Sequence, residues 1–487
     1  MSARARTWMQ FLGLLGLAML VSLFFAGVAA RVAGLGFPLD DAWIHQTYAR
    51  NLALRGEWAF LPGVPSAGST APLWTAVLAI GYLLRVDPYV WALACGTALL
   101  AAIGWVGWRW LEARAPGLRR VAWVVGVLLV AEWHLAWAGA SGMETLAQAL
   151  VVLLTFYGLE RRWPPFALGL TVGAGVWIRP DAAVLLLAVG WCLVFQRQNG
   201  APSFARRSLA VAAGVAILAV PYLGFNLLLS GQAWPSTFYA KQAEYASLLG
   251  QPLGLRVLQQ WGIGLVGAGA VLVPGLAVGL WRDLSGRQWD RLAPGVWWLA
   301  FLMLYAIRLP VTYQHGRYAM PAIPVLVVLG LETVLAMLSA ASGRVPRVLS
   351  RTWAVACVVV ALAFLALGAR AYGQDVAVIQ TEMVATARWI EANTASGDLI
   401  AAHDIGAVGY FAGRRLLDLA GLISPEVLPF LRDEAALEAY LDAQGADYLM
   451  TFPGWYPHLA AGRTPVYQSR APFAPASGGE NMAVYAW

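Results

Sequence analysis

Two adjacent carboxylates, Asp40 and Asp41, follow the first apolar run of a chain in which only 12% of residues are charged. Acids are costly beside a bilayer, so a paired one marks a candidate site. Pro38 and Asp40 read as a helix start, and Asp41 to Leu54, closed by Arg55-Gly56, as the helix. Asp40 has a structural reading as the N-cap, its oxygen satisfying orphan backbone amides. Asp41 has none. On such a helix it shares a face with His45 at i,i+4 spacing, while Trp43 and Tyr48 are placed to meet lipid or neighbouring helices. Glu144, Arg179, Asp181, Lys241, Arg308, His315 and Arg317 also fall at or beside the ends of apolar runs. Interfacial anchoring and snorkelling account for some of them. They account less well for Lys241, the only lysine in the chain. Carboxylates that move a proton, set beside cations that hold an anion, suit transfer of a group from a phosphate-linked donor.

The elements that position these residues follow from composition. Of 487 residues, 60% are hydrophobic, and the mean hydropathy is +0.63. Apolar runs near 9–30, 88–108, 121–139, 143–159, 166–179, 181–196, 209–230, 257–281, 293–309, 319–340 and 352–369 predict a polytopic α-helical membrane protein with about eleven transmembrane helices. Arg4 and Arg6 precede the first run, which reads as an uncleaved anchor rather than a signal peptide. The segment Ala71 to Leu84 is apolar but short for a span. If it lies at the interface or dips back, the arginine-bearing N-terminus and loops 109–120, 161–162, 197–207, 282–291 and 344–351 all share one side. That side is then cytoplasmic. The formal charge of +7 is explained by these loops, and no nucleic-acid role is read from it. Cys95, Cys192 and Cys357 lie inside apolar runs without metal-ligand spacing and read as packing residues.

The expected organisation is a membrane domain over 1–370, with a long first extracytoplasmic loop at 31–87 holding juxtamembrane helices. A small soluble extracytoplasmic α/β domain follows at 371–487. In it, Gln380 to Asn393 and Glu434 to Ala443 read as helices, and Leu399 to Ala402 and Tyr448 to Thr451 as strands. His403-Asp404 follows one strand and Asp418 ends another, where α/β folds often place ligands. Trp455, Tyr456 and Trp487 are candidates to stack on sugar rings.

Asp40-Asp41-Ala42-Trp43-Ile44, Tyr48 to Ala53, Pro62-Gly63 and Gly68 to Trp74 together resemble the first external loop of GT-C glycosyltransferases that use polyprenyl-phosphate sugars. The resemblance is to the bacterial group containing arabinofuranosyltransferases, and more distantly to protein O-mannosyltransferases (glycosyltransferase family 39) and the lipid A aminoarabinose transferase. Ser141-Gly142-Met143-Glu144-Thr145, Trp234 to Lys241 and Arg317 to Pro321 extend it along the chain in order. The resemblance implies a GT-C fold in the bacterial inner membrane and an inverting transfer to an acceptor hydroxyl on the extracytoplasmic face. It places the family's first-loop acids on Asp40 and Asp41 and its second acid on Glu144. Donor-phosphate cations fall on Lys241 and Arg317, with Arg179 and His315 beside them. Substrate contacts fall on His45, Tyr48, Tyr239 and Tyr318. By analogy Asp40 is the base and Asp41 orients it, with the roles exchanged if capping occupies Asp40. The implied partners are a polyprenyl-phosphate sugar donor, an acceptor that is a glycan, lipid or protein, and the bilayer. No cofactor is expected. Asp40, Asp41, Glu144 and Asp181 have the chemistry to hold magnesium or manganese, but lack the usual spacing. A transporter or flippase for lipid-linked sugars is the alternative.

Overall fold

The computed structural model describes residues 3–196 and 202–487, so residues 197–201 of the basic loop 197–207 lie outside it, as do the side chains of Arg4 and Arg6. Five helices are long and apolar enough to cross a membrane: Thr7–Val32, Pro88–Arg114, Phe204–Ser230, Tyr313–Ala340 and Arg344–Asn393. Two bent pairs raise this to seven, and Thr145–Glu160, Pro165–Ile178 and Pro180–Phe195 are shorter apolar helices. Their packing relies on small residues: a Cβ on Gly96 would stand 1.8 Å from the Gly139 carbonyl oxygen, so only glycine permits this approach.

Two expected spans are not straight. The run 121–139 is broken at Glu132, whose extended backbone separates Trp123–Ala131 from Trp133–Ala140 at 59°. The Glu132 carboxylate accepts from the Leu135 amide at 2.9 Å and lies 2.8 Å from His134 Nδ1, so a buried acid caps a helix within the apolar run. The run 257–281 divides into Leu253–Ile263 and Ala268–Ser285, bent by 108°. The turn uses Gly267 at φ +117°, a conformation open to glycine.

The first loop holds helix Asp41–Arg55, ended by Gly56 in the left-handed region, the hairpin β1 (Ala59–Leu61) and β2 (Val64–Pro65), and helix Pro72–Leu83. At about 1.5 Å per residue this last helix extends roughly 18 Å, too short for the hydrocarbon core. Trp74 near its start donates to the Gly142 carbonyl at 2.9 Å, and Tyr82 near its end donates to Gln46 Oε1 at 2.9 Å. One end is thus held to the 141–144 turn and the other to helix Asp41–Arg55.

Arg344–Val378 continues through a π turn, Ile379–Val384, into Ala385–Asn393 without a break at 370. The sheet it carries has the order β4-β3-β5-β7-β6, with β3 (Leu399–Ala402), β4 (Arg415–Asp418), β5 (Tyr448–Thr451), β6 (Tyr467–Gln468) and β7 (Ala483–Ala486). β3 pairs in parallel with β4 and β5, opposing Ile400 to Leu416 and Tyr448. β7 is antiparallel to both its neighbours. Buried Glu382 of the π turn accepts from Ser469, from Asn481 Nδ2 at 3.0 Å and from the Met482 amide at 2.8 Å, fixing the sheet to the long helix. Arg50 donates to the Tyr410 carbonyl at 2.8 Å and ties the sheet region to the first loop.

Candidate active site

Five segments converge around a cavity of about 440 Å³: the start of helix Asp41–Arg55, the turn before Thr145, the junction 179–184, helix Ser236–Glu244, and residues 304–318. Each arrives by local chemistry. The 141–144 turn needs Gly142 at φ +75°, where a Cβ would also stand 2.6 Å from the Phe37 ring. Ser141 stabilises the turn, donating to the Ala138 carbonyl at 2.7 Å and accepting from the Met143 amide at 3.2 Å. Arg179 is extended because Pro180 follows it, which ends helix Pro165–Ile178 and turns the side chain inward.

Asp41 and His45 both line the cavity, as their i,i+4 spacing predicts. Asp41 is ion-paired with Arg317. Burial acts to raise its pKa, but Arg317 and Lys241 outweigh this and hold the carboxyl well below the usual range. Arg317 is 5% exposed, and its Nε and Nη1 have no hydrogen-bond partner. Those donors are costly to leave unpaired. Tyr318 contributes its hydroxyl at 3.1 Å from Arg317 Nη2, and its ring lies 5.0 Å from the guanidinium.

Glu144, 4% exposed, faces His45 Nε2 at 3.4 Å and Arg179 Nη1 at 3.5 Å. His45 Nδ1 lies 3.3 Å from Ser69 Oγ and 3.4 Å from Thr75 Oγ1, so the first loop orients the ring toward the acid. Arg179 donates to the Tyr305 hydroxyl at 2.7 Å and pairs with Asp181 at 3.2 Å, while Tyr305 donates to Asp181. Lys241 lines the cavity and pairs with Glu244 at 3.0 Å. Among the described residues, no three His, Cys, Asp or Glu side chains group to hold a metal ion.

The structure separates four sequence candidates from this cavity. Asp40 is not in its lining and forms no side-chain cap on its own helix. Its two oxygens accept instead from the Gly406 and Ala407 amides at 2.7 and 2.8 Å, at the start of helix Gly406–Phe411 in the sheet region. His315 lies 2.8 Å from Asp375 Oδ2 and edge-on to Trp133 and Trp137. Tyr48 braces the first loop, with Ser66 Oγ at 2.6 Å and the Gly68 amide donating at 2.9 Å. Tyr239 packs edge-on against Phe238 and does not line the cavity. Tyr305 and Glu244 are additions. Both sit near helix ends with no sequence signal to set them apart from neighbouring residues.

The family model described as a domain of unknown function (DUF8728) matches residues 371–485. No curated protein matches the chain. Among solved structures, the chain is similar to ArnT from Cupriavidus metallidurans bound to undecaprenyl phosphate, with 17% identity and a TM-score of 0.62, over 100% of this chain and 98% of that one. It is also similar to the archaeal oligosaccharyltransferase AglB from Archaeoglobus fulgidus in complex with an inhibitory peptide and a dolichol-phosphate. There the identity is 12% and the TM-score 0.63, over 93% of this chain and 70% of that one. The chain is a multi-pass membrane protein with the GT-C fold.

Proposed function

We propose that the protein is an inverting membrane glycosyltransferase that takes a sugar from a polyprenyl-phosphate donor and places it on an acceptor hydroxyl. The observation that carries this is Arg317, buried in the cavity wall with two guanidinium nitrogens unpartnered beside the Asp41 carboxylate. A phosphate fits those donors. ArnT and AglB, each solved with a lipid phosphate, support the same donor class.

In the proposed step the acceptor oxygen attacks the anomeric carbon as the bond from that carbon to the donor phosphate oxygen breaks. The acceptor proton passes to Asp41, and the lipid phosphate leaves with the bonding pair against Arg317 and Lys241. Glu144, held by His45 and Arg179, orients the sugar. Asp40 has both oxygens engaged by amides, so the base role falls to Asp41 and Asp40 positions it.

Release of polyprenyl phosphate from synthetic short-chain polyprenyl-phosphate sugars tests the reading. Asp41→Asn is expected to lower turnover by about 10³-fold with little change in KM. Arg317→Gln is expected to weaken donor binding as well. Turnover should persist in chelator, because Asp41, Glu144 and Asp181 are each matched by a cation of this chain. Unimpaired turnover in Asp41→Asn would reject Asp41 as base.

A further inference from the structure

The carboxyl edge of the C-terminal sheet brings a second group of polar and aromatic side chains against helix Ser236–Glu244. From β3 the chain passes to β4 on one side and then crosses back to β5 on the other, all three strands running parallel. The connections leaving β3 and β5 therefore diverge. The gap between their carboxyl ends is where open α/β sheets bind ligands. His403 and Asp404 leave β3 at this gap, and Phe452 to Tyr456 leave β5. His403 Nδ1 lies 2.7 Å from the Tyr456 hydroxyl, and the Trp455 ring, half exposed, stands edge-on to the imidazole at 5.1 Å. Helix Ser236–Glu244 forms the facing wall, with Glu244 Oε1 3.6 Å from His403 Nε2. Among the described residues the Asp404 carboxylate has no hydrogen-bond partner, although it lies within electrostatic reach of Lys241 and Asp41.

We propose that this gap is the acceptor subsite and that it takes a neutral sugar, stacked on Trp455 with its hydroxyls donating to Asp404 and Glu244. This rests on the transferase reading above and adds the acceptor class to it. The gap has the chemistry of a polyol site: an accessible aromatic face, two carboxylates, an imidazole and a phenol. The carboxylates of Asp404 and Glu244 repel an anionic acceptor and so favour a neutral one. Asp404 lies within electrostatic reach of Asp41, so a sugar bound beside it lies near the base.

Two binding readouts on full-length protein in detergent test the subsite and the donor reading separately. Saturation-transfer NMR with a panel of arabino-, manno- and gluco-oligosaccharides reads the subsite, and thermal stabilisation by farnesyl phosphate reads the cavity. At least one oligosaccharide is expected to give a signal. Its affinity should fall about tenfold in Trp455→Ala and in Asp404→Asn, and recover in Trp455→Phe. Absence of signal from every oligosaccharide overturns the subsite, and so does a signal indifferent to both substitutions. Farnesyl phosphate stabilisation should be lost in Arg317→Gln and kept in Trp455→Ala. If it survives Arg317→Gln, the donor reading fails while the sugar subsite stands or falls on its own signal.

Discussion

Asp40 and Asp41 are chain neighbours with opposite surroundings, because consecutive residues at a helix start point about 100° apart. Asp41 meets Arg317, whereas Asp40 meets two amides that lie 366 and 367 residues away in sequence. Gly406 makes the second meeting possible, since a Cβ there would stand 2.1 Å from the Asp40 carbonyl oxygen. Burial and the nearby Asp404 raise the pKa of Asp40, against the lowering effect of the Ala407 and Gly406 amides. A carboxyl raised in this way holds its proton more tightly folded than unfolded. Its contribution to stability is therefore greatest at acid pH and is lost as pH rises from the ordinary carboxylate range through the raised value. The melting temperature in detergent is expected to fall between about pH 5 and about pH 8, and Asp404→Asn should flatten that slope. Asp40→Ala should cost about 2 to 3 kcal/mol by leaving the amides unpaired. An unchanged slope in Asp404→Asn would dismiss the pairing of these acids. The sequence marks the acid pair, but it contains no local sign of which acid turns toward the cavity, because the deciding partners are distant in the chain.

At the scale of elements, long apolar runs were legible as helices because hydrocarbon thickness sets their length. The strands at Leu399 and Tyr448 were legible from their apolar patterning, whereas β7 pairs antiparallel at the end of a polar, loop-rich stretch. The breaks at Glu132 and Gly267 were not legible, since each depends on a partner from another helix or on backbone conformation. Gly267 illustrates both causes. Its φ of +117° disfavours any side chain, and a Cβ would lie 3.0 Å from Trp133 Nε1, which itself donates to the Val266 carbonyl at 2.7 Å. Leu253–Ile263 thereby turns aside and bonds to the 304–318 region, with Arg256 donating to the Ala306 carbonyl at 2.9 Å and Gln260 to that of Val311 at 3.2 Å. Gly267→Ala is expected to destabilise the protein by about 1 to 3 kcal/mol, measured as a lower midpoint of thermal unfolding in detergent. A midpoint equal to that of the unsubstituted protein would show that the turn carries no strain.

For the whole molecule, the two ends of the bundle carry different electrostatics. Away from the cavity, Arg114 donates to Asp283 and Glu332, both at 2.7 Å, and Arg291 reaches Glu332 at 2.5 Å. Arg114 and Glu160 lie 3.9 Å apart. Loops 109–120 and 282–291 and the end of helix Thr145–Glu160 therefore converge, as the distribution of arginines requires if all of them share one face. Buried pairs of this kind are costly to half-remove and tie helix ends into one register. At the cavity end Arg317 keeps two guanidinium nitrogens without a hydrogen-bond partner, against one, Nη1, at Arg114. The positive-inside rule predicts a cytoplasmic arginine-rich end, with the cavity and sheet outside. Cysteine labelling tests this orientation against a low background, since Cys192 and Cys357 are buried and Cys95 is half-buried. A membrane-impermeant maleimide should label Gly397→Cys on spheroplasts, and should reach Gln288→Cys only after permeabilisation. Gly397 is open to a side chain and Gln288 is exposed, so both probes are accessible once their side of the membrane is reached. The reverse pattern would put the cavity on the cytoplasmic face, and the donor lipid would then have to present its sugar from that side.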